Sequence, residues 1–327
     1  MKRWKGREPF LLIVNVLLVF VLAMTTSFIV HRDAAGQVGV DLAALHLLLD
    51  NYSAVFIAAV GMTLVILAGQ IDLSVGSTLA LCSVVAAQVS QAGLPVSFAF
   101  LVPVAIGIVI GLINGVIVAY GRIHSIIVTL GTMTILRGLV VQMVPAGWVA
   151  TSDAFKAVGT ARPLGIATSL WIACVFSLAV TLLVRYTRWG RAVYAVGSNA
   201  EAASIVGIRP ERIQFHVLVF SGFAMGLASA VHASRFGVIQ NNIGQGFELL
   251  VITAVVIGGT SIFGGAGSVL GSLLGVLLLA LVRSALIYFH VPALWEQAVY
   301  GAFLLLAVGV DIARTRAWSR VLPGWTI

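Results

Sequence analysis

Residues 53–91 read SAVFIAAVGMTLVILAGQIDLSVGSTLALCSVVAAQVSQ, two apolar runs parted by a short polar segment that carries one carboxylate. The runs, at 53–69 and 73–91, approach the about 20 apolar residues that a helix needs to cross a bilayer. Between them stand Gln70, Asp72 and Ser74, flanked by Gly69 and Gly76. Polar groups inside an apolar stretch must find partners within the protein, because hydrocarbon offers none. Asp72 or Ser74 can cap the helix that follows, where the positive end of the helix dipole favours a carboxylate. Direct contact with a transported solute, or gating, is the competing reading.

The same texture fills the chain. Of 327 residues, 60% are hydrophobic and 9% charged, against roughly a quarter charged in soluble domains. The pattern predicts an all-α, polytopic membrane protein, one transmembrane domain over 1–327. Its ten helices fall near 10–30, 53–69, 73–91, 98–119, 125–144, 167–184, 213–233, 248–262, 268–289 and 294–312. The first run follows Lys2, Arg3, Lys5 and Arg7 but exceeds a signal-peptide core and lacks a cleavage site, so it reads as a permanent span. With the N-terminus inside, the inner segments also hold Arg122, Arg185, Arg188, Arg191, Arg209, Arg212, Arg314, Arg316 and Arg320. The outer ones hold only Arg32, Lys156, Arg162 and Arg235. This bias places both termini in the cytoplasm. It also accounts for the formal charge of +8 without nucleic acid, since the basic residues are dispersed between apolar runs.

Trp4, Trp148, Trp171, Trp189, Trp295 and Trp318 fall near span ends, as interfacial anchors do. Asp33, Asp41 and Asp50 lie in an outer segment whose stretch 42–49 suits an interfacial helix or a plain connector. Cys82 and Cys174 sit in apolar runs without metal-ligand spacing, which favours packing. Arg137, Arg283, Glu248 and Glu296, with His232, fall deep in spans and should face the protein interior or water. Arg283 is placed to pair with either Glu248 or Glu296.

A second break, GGTSIFGGAGS at 258–268, contains Thr260 and Ser261. It is glycine-rich like a phosphate loop, yet it lacks the GxxxxGK[ST] pattern, and the only lysines are Lys2, Lys5 and Lys156. The longest inner connection, 185–212, contains GSNAEAASIVGI at 197–208. Ser198 or Asn199 can cap a short helix there that Gly207 ends. Such a helix is either a knob that enters a cytoplasmic partner or a surface turn.

These segments together resemble the membrane permeases of bacterial ABC importers of the ribose, xylose, rhamnose and autoinducer-2 type. The matching pieces are GQIDLSVG at 69–76, Asn114-Gly115, TLGT at 129–132, Arg137-Gly138, GSN at 197–199, Ala202-Ala203, Gly207-Ile208, FEL at 247–249 and VIGGTS at 256–261. The resemblance covers about 45–312. It implies a second permease subunit, identical or paralogous, a cytoplasmic ATPase that binds ATP and Mg, and a periplasmic sugar-binding protein. This chain would itself bind no cofactor and catalyse no covalent step. The resemblance marks Asn199, Glu201, Ala202, Ala203 and Gly207 as the ATPase-coupling segment. Gln70, Asp72, Ser74, Asn114, Thr129, Arg137, Glu248, Thr260 and Ser261 become candidates for translocation or gating. One departure stands out: Ile123-His124-Ser125-Ile126 occupies a place where the family commonly has proline. Within the family, VPALWE at 291–296 leans toward the rhamnose and autoinducer-2 branch. The rival class is a proton-coupled secondary transporter, which would need Asp72, Glu248 or Glu296 as its coupling site. An intramembrane enzyme is disfavoured, since HExxH and GxSxG are absent from the sequence.

Overall fold

A computed structural model describes residues 7–25, 30–32, 38–40, 43–292 and 294–321. The calls on Lys2, Arg3, Trp4, Lys5, Asp33 and Asp41 lie outside the described residues, as do the side chains of Arg7, Arg32, Arg314, Arg316, Trp318 and Arg320. The elements in chain order are α1 (Arg7–Thr25), β1 (Val30–Arg32), β2 (Val38–Val40), α2 (Ala43–Asn51), α3 (Ser53–Leu67), α4 (Val75–Gln91), α5 (Val96–Ala119), α6 (Ser125–Met143), β3 (Trp148–Ala150), α7 (Asp153–Thr160), α8 (Thr168–Tyr186), α9 (Arg188–Ser198), α10 (Ala200–Ile205), α11 (Pro210–Phe236), β4 (Val238–Gln240), α12 (Phe247–Ile257), α13 (Val269–Tyr288) and α14 (Leu294–Val321). The fold is all-α and polytopic, and a helix stands at each of the ten predicted places.

Among the described residues, five helices, α5, α6, α8, α11 and α13, are by themselves long and apolar enough to cross a membrane, and the bent pair α2 and α3 makes a sixth candidate. The expected helix 248–262 ends at Ile257 instead. With 11 residues it rises only about 16 Å, roughly half of a hydrocarbon core of about 30 Å. The glycine break that follows takes up the residues assigned to the helix. The two β pairs were also not foreseen. Of these, β3 and β4 are antiparallel with Trp148 opposite Gln240, and they join the ends of α6 and α11.

The core forms around α3, all 15 residues of which are buried. A helix apolar on every side belongs inside a bundle rather than on its lipid surface. Around it, α11 crosses α5 with almost no side chains between them. A Cβ on Gly222 would strike the Gly107 carbonyl, and one on Gly111 would lie 2.6 Å from the Leu218 carbonyl. Gly226 packs likewise on Pro103 and Val104 of α5. Small residues at four-residue spacing on both helices allow this approach, and dispersion between backbones replaces the hydrophobic drive that lipid cannot supply.

Among the predicted anchors, Trp148 and Trp295 are well exposed and Trp171 partly so. Trp189 instead packs toward Phe220, with ring centroids 6.4 Å apart. Cys82 is buried, whereas Cys174 is exposed on α8. The stretch proposed as an interfacial helix is α2, and its Asp50 accepts a hydrogen bond from Arg162 Nη2 at 2.9 Å, tying α2 to the segment before α8.

Replacing Gly222 with Val should destabilise the protein by at least about 1–3 kcal/mol, the usual cost of overpacking. Thermal unfolding in lipid nanodiscs checks this, and an unchanged midpoint would refute the tight α5–α11 crossing.

Candidate functional site

The first break, 68–74, is resolved by side chains from three helices. Asp72 Oδ1 accepts the Ser74 backbone amide at 2.9 Å and the Ser74 hydroxyl at 2.6 Å. Its Oδ2 accepts the Ser221 hydroxyl of α11 at 2.8 Å. Asn114 of α5 donates to Ser74 Oγ at 3.1 Å, and Thr132 of α6 donates to Asn114 Oδ1 at 2.6 Å. Thr129 Oγ1 accepts the Leu73 amide at 3.0 Å, and Ser125 Oγ accepts the Ile71 amide at 3.2 Å. The break's free amides are thus met by hydroxyls of α6, and its carboxylate, buried with Ser74, Asn114 and Ser221, has three donors. The capping seen in sequence is an Asx turn of Asp72 on Ser74, while Ser74 makes no side-chain cap of its own.

Asp72, Ser74, Asn114 and Thr129 are therefore brought into one network. Ser221 and Thr132 belong to it and were not singled out, and Ser125, noted only as a departure from the family pattern, belongs to it as well. Thr132 lay inside the TLGT match, but Ser221 gave no local signal beyond being a hydroxyl in a predicted span.

The second break packs against the first. Gly265 donates its backbone amide to the Leu67 carbonyl, the last of α3, at 2.9 Å. Gly265 has φ +69 and Gly69 has φ +74, backbone conformations that glycine adopts without steric cost. Thr260 and Ser261 are buried. Thr260 Oγ1 lies 3.5 Å from Ser272 Oγ of α13, and Thr63 of α3 donates to that same Ser272 Oγ at 2.8 Å.

Arg137 and Glu248 belong to neither break. Arg137 Nη1 donates to the Ile243 carbonyl at 2.7 Å, holding the turn that precedes α12. Glu248 lies beside Gly76, at the start of α4, within electrostatic reach of Arg137. The pairing expected of Arg283 is settled: it meets Glu296 at 3.3 Å, and Tyr300 also donates to Glu296 at 2.6 Å. Half-buried His232 lies against Phe236, with ring centroids 4.4 Å apart.

The 185–212 segment folds as two short helices joined by Asn199 alone. Asn199 Oδ1 accepts the Ala202 amide at 2.8 Å, which caps α10, and Gly207 follows the helix with φ +84. Ser198 ends α9 and so does not cap α10. Ala203 is buried at 3% exposure, whereas Ile205 and Val206 are 85% and 73% exposed. Glu201 and Ala202 are exposed as well. The outward face of α10 thus carries two large apolar side chains that sequence reading passed over, and Ala203 fixes the helix to the body. In α9, Tyr194 Oη donates to the Gly267 carbonyl at 2.9 Å. Burial, with the Glu8 carboxylate nearby, pushes the Tyr194 phenol above its ordinary range, which keeps it a donor.

A cleft of about 510 Å³ separates α10 from the first break. Gln70, Arg122, His124, Glu201, Glu211 and Gln214 line it, so Gln70 faces the α10 side rather than the Asp72 network.

Residues 46–308 match the family described as branched-chain amino acid transport system / permease component. The chain belongs to this permease family. The permease is 36% identical over 315 residues to the ribose import permease protein RbsC of Escherichia coli K12, covering 95% of each chain. It is 38% identical over 260 residues to RbsC of Haemophilus influenzae, covering 78% of this chain and 80% of the relative. Autoinducer 2 import system permease protein LsrC of Photorhabdus laumondii is 34% identical over 277 residues, covering 84% and 83%. No solved structure matches the permease. It is a multi-pass protein of the bacterial inner membrane and a transport protein rather than an enzyme.

Replacing Ser221 with Ala removes one donor from a buried carboxylate and should cost about 1–3 kcal/mol. Replacing Asp72 with Ala strands the Ser74 amide and two hydroxyls and should cost more. Thermal unfolding in nanodiscs orders the two, and equal stability of both with the wild type would refute the network.

Proposed function

We propose that the permease is a membrane subunit of an ATP-driven importer for a monosaccharide or a similar small polar solute. In this reading a second permease subunit, identical or paralogous, completes the pathway. A cytoplasmic ATPase binds ATP and Mg, and a periplasmic sugar-binding protein delivers the cargo. The chain spans the membrane ten times as one domain with both termini inside. Gln70, Asp72, Ser74, Asn114, Thr129, Thr260 and Ser261 shape the pathway or its gate from within the two breaks, while Arg137 and Glu248 hold its outer end.

The observation that carries this reading is α10: a capped six-residue helix whose outward face presents Ile205 and Val206 beyond the predicted spans. Apolar side chains so exposed away from lipid suit a protein groove that covers them. Asn199 and Gly207 give the knob its ends, Glu201 and Ala202 flank its apolar tip, and Ala203 seats it.

The family description speaks of branched-chain amino acids, whereas the relatives above are named for ribose and autoinducer 2. Similarity along 95% of the chain favours the sugar side. Of the rhamnose and autoinducer-2 branch toward which the 291–296 segment leans, autoinducer 2 is represented among these relatives and rhamnose gains no support from them.

Proton coupling is less well supported, because each carboxylate it needs is already engaged. Asp72 accepts three hydrogen bonds, Glu296 pairs with Arg283, and Glu248 has Arg137 nearby.

Gentle extraction of the tagged permease from its native membrane, followed by mass spectrometry, should recover a Walker-motif ATPase and a periplasmic binding protein. Replacing Ile205 with Glu should weaken ATPase recovery at least about ten-fold, as loss of a buried anchor does, while insertion stays normal. Recovery of the chain alone, with uptake that survives ATP depletion and collapses with a protonophore, would replace this reading with a secondary carrier.

A further inference from the structure

The contact that joins the two breaks is also the place where the coupling segment touches them. Gly197, in the last turn of α9, packs against both partners of the Gly265 to Leu67 hydrogen bond. A Cβ there would collide with the Leu67 carbonyl and lie 2.6 Å from the Gly265 nitrogen. Ser198 Oγ donates to the Tyr194 carbonyl at 2.8 Å and reaches the Gly265 carbonyl at 3.5 Å. Three residues earlier than Gly197, Tyr194 holds Gly267.

The joint has little slack on either side. Toward α10 there is only Asn199, which terminates one helix and caps the next. At the far end of α9, Gly190 packs against the backbone of Val184, and Thr187 Oγ1 accepts its amide at 3.1 Å. Within the bundle, Gly267 is followed by Ser268, whose hydroxyl accepts the Gly271 amide at 3.0 Å and caps α13, and which also bonds Glu8 of α1. Leu67 is followed by Gly69 and then by Asp72, the anchor of the polar network at the start of α4. One short helix end thus bears on the starts of both α4 and α13.

We propose that Gly197 and Tyr194 are positioning residues for transport: the Gly197 contact with Leu67 and Gly265, latched by Tyr194 on Gly267, carries a displacement of α10 into both breaks at once. The proposal rests on the importer reading above and adds the route by which the ATPase reaches the gate. Gly197 acts by having no side chain, since any Cβ parts the coupling segment from the breaks. Tyr194 acts through its hydroxyl alone.

The test uses the complete importer, permease with its ATPase and binding protein, in nanodiscs. Amide hydrogen exchange in 66–76 and 258–268 is compared without nucleotide and with ATP and vanadate, alongside ATPase retention and hydrolysis rate. In the wild type, nucleotide should change exchange in both breaks. In Gly197→Ala and Tyr194→Phe the ATPase should remain bound and active, while that change shrinks, roughly three-fold for Tyr194→Phe, as loss of one hydrogen bond implies. A purely structural role would shift exchange equally in both nucleotide states and leave the difference intact.

A wild-type difference in both variants overturns the proposal. So does loss of the ATPase in Tyr194→Phe matching that in Ile205→Glu, since Tyr194 would then serve docking. If Gly197→Ala does not fold, Tyr194→Phe, which keeps the ring, decides the matter. A wild-type permease that retains no ATPase removes the importer reading itself, and the junction with it.

Discussion

A break in a membrane helix exposes amides and carbonyls to a medium with no hydrogen bonds to offer, and this permease has two breaks. Its interior is organised around satisfying them. The two breaks solve part of the problem for each other, through the amide of Gly265 and the carbonyl of Leu67. Hydroxyls of α6 take the amides of Ile71 and Leu73, and Ser221 of α11 meets the remaining charge of Asp72. The partners come from α6, α11 and the second break, so the polar groups specify which elements are neighbours and at what height. Apolar packing in lipid could not do so alone, because one apolar helix face is much like another.

This arrangement also bears on how the protein can move. The buried network around Asp72 is fully partnered and resists distortion, and the glycines of 258–268 pack closely on neighbouring backbone, Gly258 on Gly271 and Gly264 on Gly69 and Gly197. Two closely fitted segments therefore meet at one contact. A short helix set against that contact acts on both breaks with a small stroke, whereas helices elsewhere in the bundle stay clamped by their neighbours.

Much of this was legible in the sequence, and the boundary of what was legible is physical. Apolar runs announced a helix at each of ten places, of which five helices and one bent pair among the described residues are long and apolar enough to cross a membrane, and polar residues within them announced both breaks. Asn199 and Gly207 marked the ends of α10 because capping is a local property of the chain. What crosses between helices left weaker traces. The end of α12 at Ile257 was missed because Gly258 and Gly259 continue an apolar context that hydropathy does not interrupt. Ser221 could not be tied to Asp72, since its partner is 149 residues away. Arg283 had two carboxylates in reach by topology, and only packing chose Glu296. Ile205 and Val206 looked like ordinary apolar residues until the structure left them uncovered. The candidate residues thus fell into a set that forms or partners the breaks and a pair, Arg137 and Glu248, at the turn before α12 and the start of α4, a division that spacing along the chain does not encode.

The glycine crossing of α5 and α11 has a consequence for how the protein can change over time. At Gly107, Gly111, Gly222 and Gly226 there is no side chain to trim, so every substitution is an enlargement. An ordinary core position can drift through a series of near-equal residues, with one partner shrinking as the other grows. Here both partners already stand at the smallest size available, and compensation has no direction in which to run. The surface loops and the lipid-facing helices are free to diverge, but this seam can only be kept or lost.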